Sequence, residues 1–224
     1  MPAKMKLIIG NKNYSSWSLR PWILLKFFDI PFDEVLIPLY AGNYKVEILK
    51  YSSNGKVPIL INDTVKVWDS LAICEYVAEL FPEKSMWPQK IEDRAFARSI
   101  SQEMHAGFVS LRTHMPMNLR GTYPGRGRTP EVEKDIARII DIWSTCRRQC
   151  QAQGPFLFGH FTVADAMFAP VVTRFRTYGV SLEGLAFDYS RAILGLPAFQ
   201  EWQAAGVKEP WFIKASEIYN IEYQ

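Results

Sequence analysis

Asn54-Gly55-Lys56-Val57-Pro58-Ile59-Leu60-Ile61, followed by Asn62-Asp63, Thr64 to Trp68 and Asp69-Ser70, is the stretch that decides the fold. Val57 to Ile61 is rich in β-branched residues and leucine, as a buried strand requires, and Asn62-Asp63 suits a tight hairpin. Thr64 to Trp68 alternates with the period of a half-buried strand. Asp69 or Ser70 can cap a helix over Leu71 to Phe81, in which Leu71, Cys74, Val77, Ala78 and Phe81 repeat at helical spacing. Pro82 ends it.

Pro58 is the informative member. Proline donates no ladder hydrogen bond, so a central strand excludes it, whereas the first residue of a strand tolerates it. A cis Val57-Pro58 bond is expected there, with the backbone of Val57 open to an extended peptide that pairs as an added strand. Blunting of an edge strand is the plainer reading of the same residue.

Working outward, 224 residues suit one large or two small domains. A 48% hydrophobic share supplies a sizeable core and excludes a disordered chain. Net charge +3 is too small to argue for nucleic acid or a membrane surface as partner. The opening Met1 to Gly10 has only Leu7-Ile8-Ile9 as an apolar core, so no signal peptide is expected, and no run reaches membrane-spanning length. Cys74, Cys146 and Cys150 form no Cys-x-x-Cys pair, which fits a soluble, cytoplasmic protein of a reducing compartment.

Upstream, Lys6 to Gly10 reads as a buried strand and Asn11 to Ser18 as a polar turn. A helix is expected from near Ser18, with Pro21 in its first turn, where the missing N–H costs nothing. Phe32 to Leu39 is a second strand candidate, and Asn43 to Tyr51 is weakly helical. If the first two strands share a sheet, the right-handed crossover rule makes them parallel. Strand, helix, strand, helix, hairpin and helix is the order of a thioredoxin-like βαβ-ββα domain. Chemistry is expected in Tyr14-Ser15-Ser16-Trp17-Ser18-Leu19-Arg20-Pro21. A hydroxyl just before a helix start can donate to a bound thiolate, and the first-turn amides and helix dipole favour negative charge there. Serines that merely cap and turn are the alternative.

Gly55-Lys56-Val57-Pro58-Ile59-Leu60 with Asp69-Ser70 resembles the glutathione-binding half of the glutathione S-transferases. Ser15-Ser16 with Arg20 looks like the Ser-Ser-Cys-x-x-Arg motif of the zeta class. The resemblance implies glutathione as co-substrate and no metal. It implies that Val57, ahead of Pro58, pairs with the cysteine backbone of glutathione, that Asp69 and Ser70 hold its γ-glutamyl group, and that Lys56 meets its glycine carboxylate. Ser15 takes the catalytic serine position, Ser16 the next and Arg20 that of the motif arginine. Tyr14 stays open as a third hydroxyl, because other classes use a tyrosine from the same turn. Trp17 replaces the motif cysteine, and Asp69 is one methylene shorter than the usual Glu or Gln.

Phe81 to Pro88 is bounded by prolines and reads as a connector. The expected division is a thioredoxin-like domain over 1–82, a linker over 83–90 and an all-helical domain over 91–224. Ile91 to His114 is expected as one long helix with His105, Phe108 (or Val109) and Arg112 on one face. The resemblance makes that face the electrophile site; a core-packed Phe108 and a structural His105 are the alternatives. Arg120 to Arg128 reads as a solvated loop, and Pro130 to Gln153 as an amphipathic helix whose Cys146 and Cys150 are core thiols. Thr162 with Asp165 forms a capping-box pattern that opens an apolar helix, Val163 to Tyr178, interrupted at Pro170. The transferases carry a Ser/Thr-x-x-Asp box at this point.

The expectation is therefore a homodimeric glutathione transferase that attacks a small electrophile in an interdomain cleft. A zeta-like glutathione-dependent isomerase of maleylacetoacetate type and a non-catalytic binding protein of the same fold are the rivals. A glutaredoxin-like reductase is disfavoured, because no cysteine occupies the 14–18 turn.

Overall fold

Four short apolar stretches build one mixed sheet: β1 (Met5–Ile9), β2 (Phe32–Leu36), β3 (Ile59–Asn62) and β4 (Val65–Trp68), in the order β2-β1-β3-β4. The computed structural model describes residues 5–150 and 153–220. β1 runs parallel to β2 and antiparallel to β3, which pairs antiparallel with β4. The period of two sorts the side chains. Leu7, Ile9 and Leu60 enter the main core, whereas Ile8 and Ile59 join Ile37 and Ile48 in a smaller cluster on the other face. The main core lies under α1 (Ser16–Phe27) and α3 (Ser70–Leu80); Ile48 comes from α2 (Tyr44–Leu49).

Beyond Leu80 the described residues form helices, with two isolated bridges between Phe156 and His160. They are α4 (Ile91–Ala106), α5 (Val109–His114), α6 (Pro130–Cys150), α7 (Val163–Thr177), α8 (Gly184–Leu194) and α9 (Pro197–Val207). The centre is α7, which is buried along nearly its whole length and packs against both α1 and α4. Its capping box is present: Asp165 Oδ2 accepts from Thr162 N at 2.8 Å and from Thr162 Oγ1 at 2.9 Å, and its Oδ1 accepts from Leu157 N at 3.0 Å. Cys74, Cys146 and Cys150 are buried free thiols. No helix among the described residues is long and apolar enough to cross a membrane.

Several boundaries depart from the sequence reading. β2 ends at Leu36, and α1 begins at Ser16, so Pro21 lies in its second turn rather than its first. The helix around Pro170 is not interrupted. Packing on both sides holds it, and Thr173 Oγ1 donates to the Pro170 carbonyl at 2.8 Å. Most consequentially, Ile91 to His114 is two helices. Gly107 is extended and Phe108 takes the left-handed conformation at φ 56°, which breaks the face that His105, Phe108 and Arg112 were expected to share. The Arg112 guanidinium caps the end of α4: Nε donates to Gly107 O at 2.9 Å, and Nη2 to Met104 O and to His105 O. Asp135 Oδ2 accepts from Leu111 N at the start of α5, at 2.9 Å. These bonds satisfy groups that helix ends leave unpaired. The opening residues 1–4, the end of the expected 130–153 helix at residues 151–152, and residues 221–224 of the expected helical domain lie outside the described residues.

Candidate functional site

The turn after β1 delivers its hydroxyls in three different environments. Ser15 is the N-cap of α1, and its Oγ accepts from Ser18 N at 3.3 Å. Its hydroxyl also shares a 2.8 Å hydrogen bond with that of Ser18, which accepts from Gly10 N at 3.0 Å. Ser16 Oγ accepts from Arg174 Nη2 at 3.1 Å, which leaves its own proton free. The Tyr14 phenol donates to Glu217 and accepts from Arg120 Nη2 at 2.5 Å. Burial first, and then the Glu217 carboxylate, push its pKa up to about 12. With its proton committed to Glu217, Tyr14 has none left for a thiol.

Two cavities meet at this turn. The first, of 530 Å³, is lined by Trp17, Asn54, Lys56, Val57, Pro58, Trp68, Asp69, Ser70 and His105. All five residues expected to hold glutathione thus lie around one space, although they come from a loop, a strand end and a helix start. The Val57-Pro58 bond is cis, and the backbone of Val57 carries no ladder bond, because β3 begins two residues later. Ser70 is 1% exposed, yet its Oγ has no partner among the described residues. Asp69 caps α3 through Leu71 N at 3.0 Å and sits at φ 75°, a region costly for a side chain and found where ligands are clamped. His105 Nε2 lies 3.3 Å from the same carboxylate, and its ring meets Trp17 edge-on at 5.2 Å. Burial lowers the His105 pKa, against the pull of Asp69 in the other direction.

The second cavity, of 310 Å³, shares Trp17 with the first. Ser15, Ser16, Arg112 and Arg174 line it together with apolar groups from Leu39, Pro116, Met117 and Ile213. Of the three residues expected at the electrophile, Arg112 lies here, whereas His105 falls on the side of the first cavity. Phe108 lines neither and packs into the core. Arg20 is fully buried, donates from Nε to Met167 O at 3.1 Å and stacks on Trp17 at 4.3 Å. Arg112 lies over the same indole at 4.7 Å.

The sequence matches the family model of the glutathione S-transferase N-terminal domain over residues 14–80 and that of the C-terminal domain over residues 128–205. The chain belongs to the glutathione S-transferase family. Glutathione S-transferase 1 of Dianthus caryophyllus is 34% identical over 93 residues, so that the match spans 41% of each chain. Maleylacetoacetate isomerase of Rattus norvegicus is 26% identical over 193 residues, or 83% of this chain and 85% of that one. A glutathione transferase homolog from Burkholderia gl BGR1, solved with bound glutathione, superposes with a TM-score of 0.67 at 20% identity over 92% of this chain and 99% of the other. The fold is thus that of the family: a thioredoxin-like domain followed by a helical one.

Four residues of the site escaped the sequence reading. Ser18 looked like one more turn hydroxyl, and Trp17 like a missing cysteine. Trp68 read only as a strand residue. Arg174 carried a usable signal, since a guanidinium within an otherwise apolar helix must find partners when buried.

Proposed function

We propose that this chain binds glutathione in the 530 Å³ cavity, activates its thiol with Ser15, and joins the sulfur to a small electrophile held in the 310 Å³ cavity. The observation that carries the reading is the place of Ser15, at the N-terminus of α1 and on the wall of the second cavity, with Trp17 common to both. The residues present fit glutathione. The unpaired Ser70 hydroxyl suits its γ-glutamyl carboxylate, the open backbone of Val57 its cysteine, and Lys56 at the rim its glycine carboxylate.

Bound glutathione would supply the nucleophile: the thiol proton goes to solvent and a C–S bond forms, either as an aryl halide loses halide with the electron pair or as an activated alkene opens its π bond and takes up a proton at carbon. The chain must make the thiolate available. A thiol of pKa near 8.5 is only about 3% ionised at pH 7, and lowering it by about two units makes thiolate the main form. The Ser15 hydroxyl and the N-terminus of α1 both favour negative charge at that point. Ser18 supports Ser15, because its hydroxyl can turn to donate to Ser15 Oγ and so free the Ser15 proton for sulfur. His105 holds Asp69, and Asp69 holds the start of α3 and thereby Ser70.

The test is calorimetric titration with glutathione, followed by turnover across a panel of aryl halides and activated alkenes. Binding in the low-micromolar to millimolar range and conjugate formation support the reading. A second reading, a glutathione-dependent cis–trans isomerase, is supported by similarity to the rat isomerase along 83% of this chain. Glutathione would then be recovered unchanged, so mass analysis of the products separates the two. We also propose a homodimer, in keeping with the family resemblance. Exposed Trp68, Leu80 and Ile91 on consecutive elements offer apolar surface for it.

A further inference from the structure

We propose that the second cavity takes an electrophile bearing a carboxylate, held by Arg174 and Arg112. The proposal rests on the glutathione reading above and names the substrate class for it. Arg174 is 5% exposed. Its Nε donates to Met115 O at 2.9 Å, Nη1 to Pro170 O at 3.3 Å and Nη2 to Ser16 Oγ at 3.1 Å. A guanidinium has five N–H donors, so these three bonds leave two over. Every partner is a neutral oxygen, and Arg174 forms no ion pair of 4 Å or less among the described residues. Burial, and then the nearby Arg112 charge, push its pKa down to about 9.

Arg112 brings a second positive group to the same wall. Its Nε and Nη2 are committed to carbonyls of the α4 end, while Nη1 is left without one. Asp135 influences it from beyond α5, where its carboxylate caps Leu111 N. The cavity itself is lined by no Asp or Glu. Glu217, next to its rim, is engaged by Tyr14, Asn118 and Tyr123 and pairs with Arg120 at 3.7 Å. The glutathione carboxylates are accounted for in the first cavity, and one thiolate cannot balance two guanidiniums. Buried charge without a partner is costly, so an anionic ligand is the natural complement. Leu39, Pro116, Met117 and Ile213 supply the apolar remainder, which fits a carboxylate on a short alkyl or aryl body.

The experiment compares S-(5-carboxypentyl)glutathione with its carboxamide by calorimetry on the full chain, with S-methylglutathione as reference. The carboxylate should bind about tenfold or more tightly than the amide. That ratio should fall towards one in Arg174→Met and be partly kept in Arg174→Lys. Because Arg174 also ties Met115 and Pro170, a second variant is needed that spares the fold. Ala215→Asp, at an exposed position of the same cavity, should cut the ratio severalfold by repulsion. Equal affinities in the parent would overturn the proposal, as would a ratio unmoved by both Arg174→Met and Ala215→Asp. If S-methylglutathione fails to bind, the glutathione reading falls. The anion site is then judged without it, by phenylacetate against phenylacetamide: preference for phenylacetate that Ala215→Asp abolishes upholds the site, and no preference overturns it.

Discussion

Ser15→Gly removes the hydroxyl that is assigned to the thiol, and the structure makes glycine the right replacement. Ser15 is also the N-cap of α1, accepting from Ser18 N. Alanine there costs about 0.5–2 kcal/mol in helix capping, whereas glycine costs only a few tenths. A hydrogen bond to a charged group contributes about 1.5–3 kcal/mol, and one pKa unit corresponds to about 1.4 kcal/mol. The bound thiol should therefore rise by about one to two units in Ser15→Gly. Starting from a pKa near 6.5, the thiolate fraction at pH 7, and the rate with it, falls about three- to twenty-five-fold. The assay is the ultraviolet thiolate absorbance of the glutathione complex against pH, with thermal melts of each variant alongside. Ser15→Ala should show the same titration with a lower melting temperature. Ser18→Ala should shift the thiol less, since it acts through Ser15. Tyr14→Phe should leave it in place, because its proton is already given to Glu217. If Ser15→Gly titrates like the parent while Ser16→Ala shifts, the donor is Ser16, held by Arg174, and the reasoning from the helix N-cap fails.

Ser70→Ala should weaken glutathione binding by about 1–3 kcal/mol in calorimetry, because the Ser70 hydroxyl is buried and otherwise unpaired; unchanged affinity would move the γ-glutamyl group elsewhere. Asp165 tests linkage. Burial raises its pKa from 3.8 to about 6, so the proton is held more tightly in the folded chain than in the unfolded one. The stabilisation from that proton is complete below about pH 3.8 and lost as pH rises through about 6. Going from pH 7 to pH 5 should then stabilise the parent, relative to Asp165→Asn, by on the order of 1 kcal/mol in denaturant melts. An equal response in both proteins would contradict the raised pKa. For the proposed homodimer, light scattering at micromolar concentration should give twice the mass of the 25.8 kDa chain, and a monomer would remove that proposal.

Local patterns carried much of the fold. The α3 start at Asp69-Ser70 and the Thr162–Asp165 box depend on neighbours within a few residues, so capping chemistry sufficed to place them; the hairpin was placed to within one residue, its turn falling at Asp63-Thr64 because Asn62 pairs with Val65 as the end of β3. Lys56, Val57, Pro58, Asp69 and Ser70 gather around one cavity for the same reason, being carried on a single hairpin and the helix that follows it. Where those rules met tertiary packing they failed. Helical spacing joined Ile91 to His114, yet the chain breaks at Gly107-Phe108, where the Arg112 guanidinium caps the end of α4 and Asp135, 24 residues from Leu111, supplies the start of α5 with a partner that no short window contains. Pro170 sits inside an unbroken α7 for a related reason.

Alone, the sequence determined the order of strands and helices over the first eighty residues, the family, and the grouping of Lys56, Val57, Pro58, Asp69 and Ser70, which are near neighbours in the chain. Only the tertiary structure gave the hydroxyls of one turn their different partners and assembled the second cavity. The Tyr14 proton goes to Glu217, 203 residues away, whereas Ser16 Oγ accepts from Arg174, 158 residues away, and keeps its own proton. The partners of these hydroxyls come from far along the chain, so packing rather than any local preference sets them.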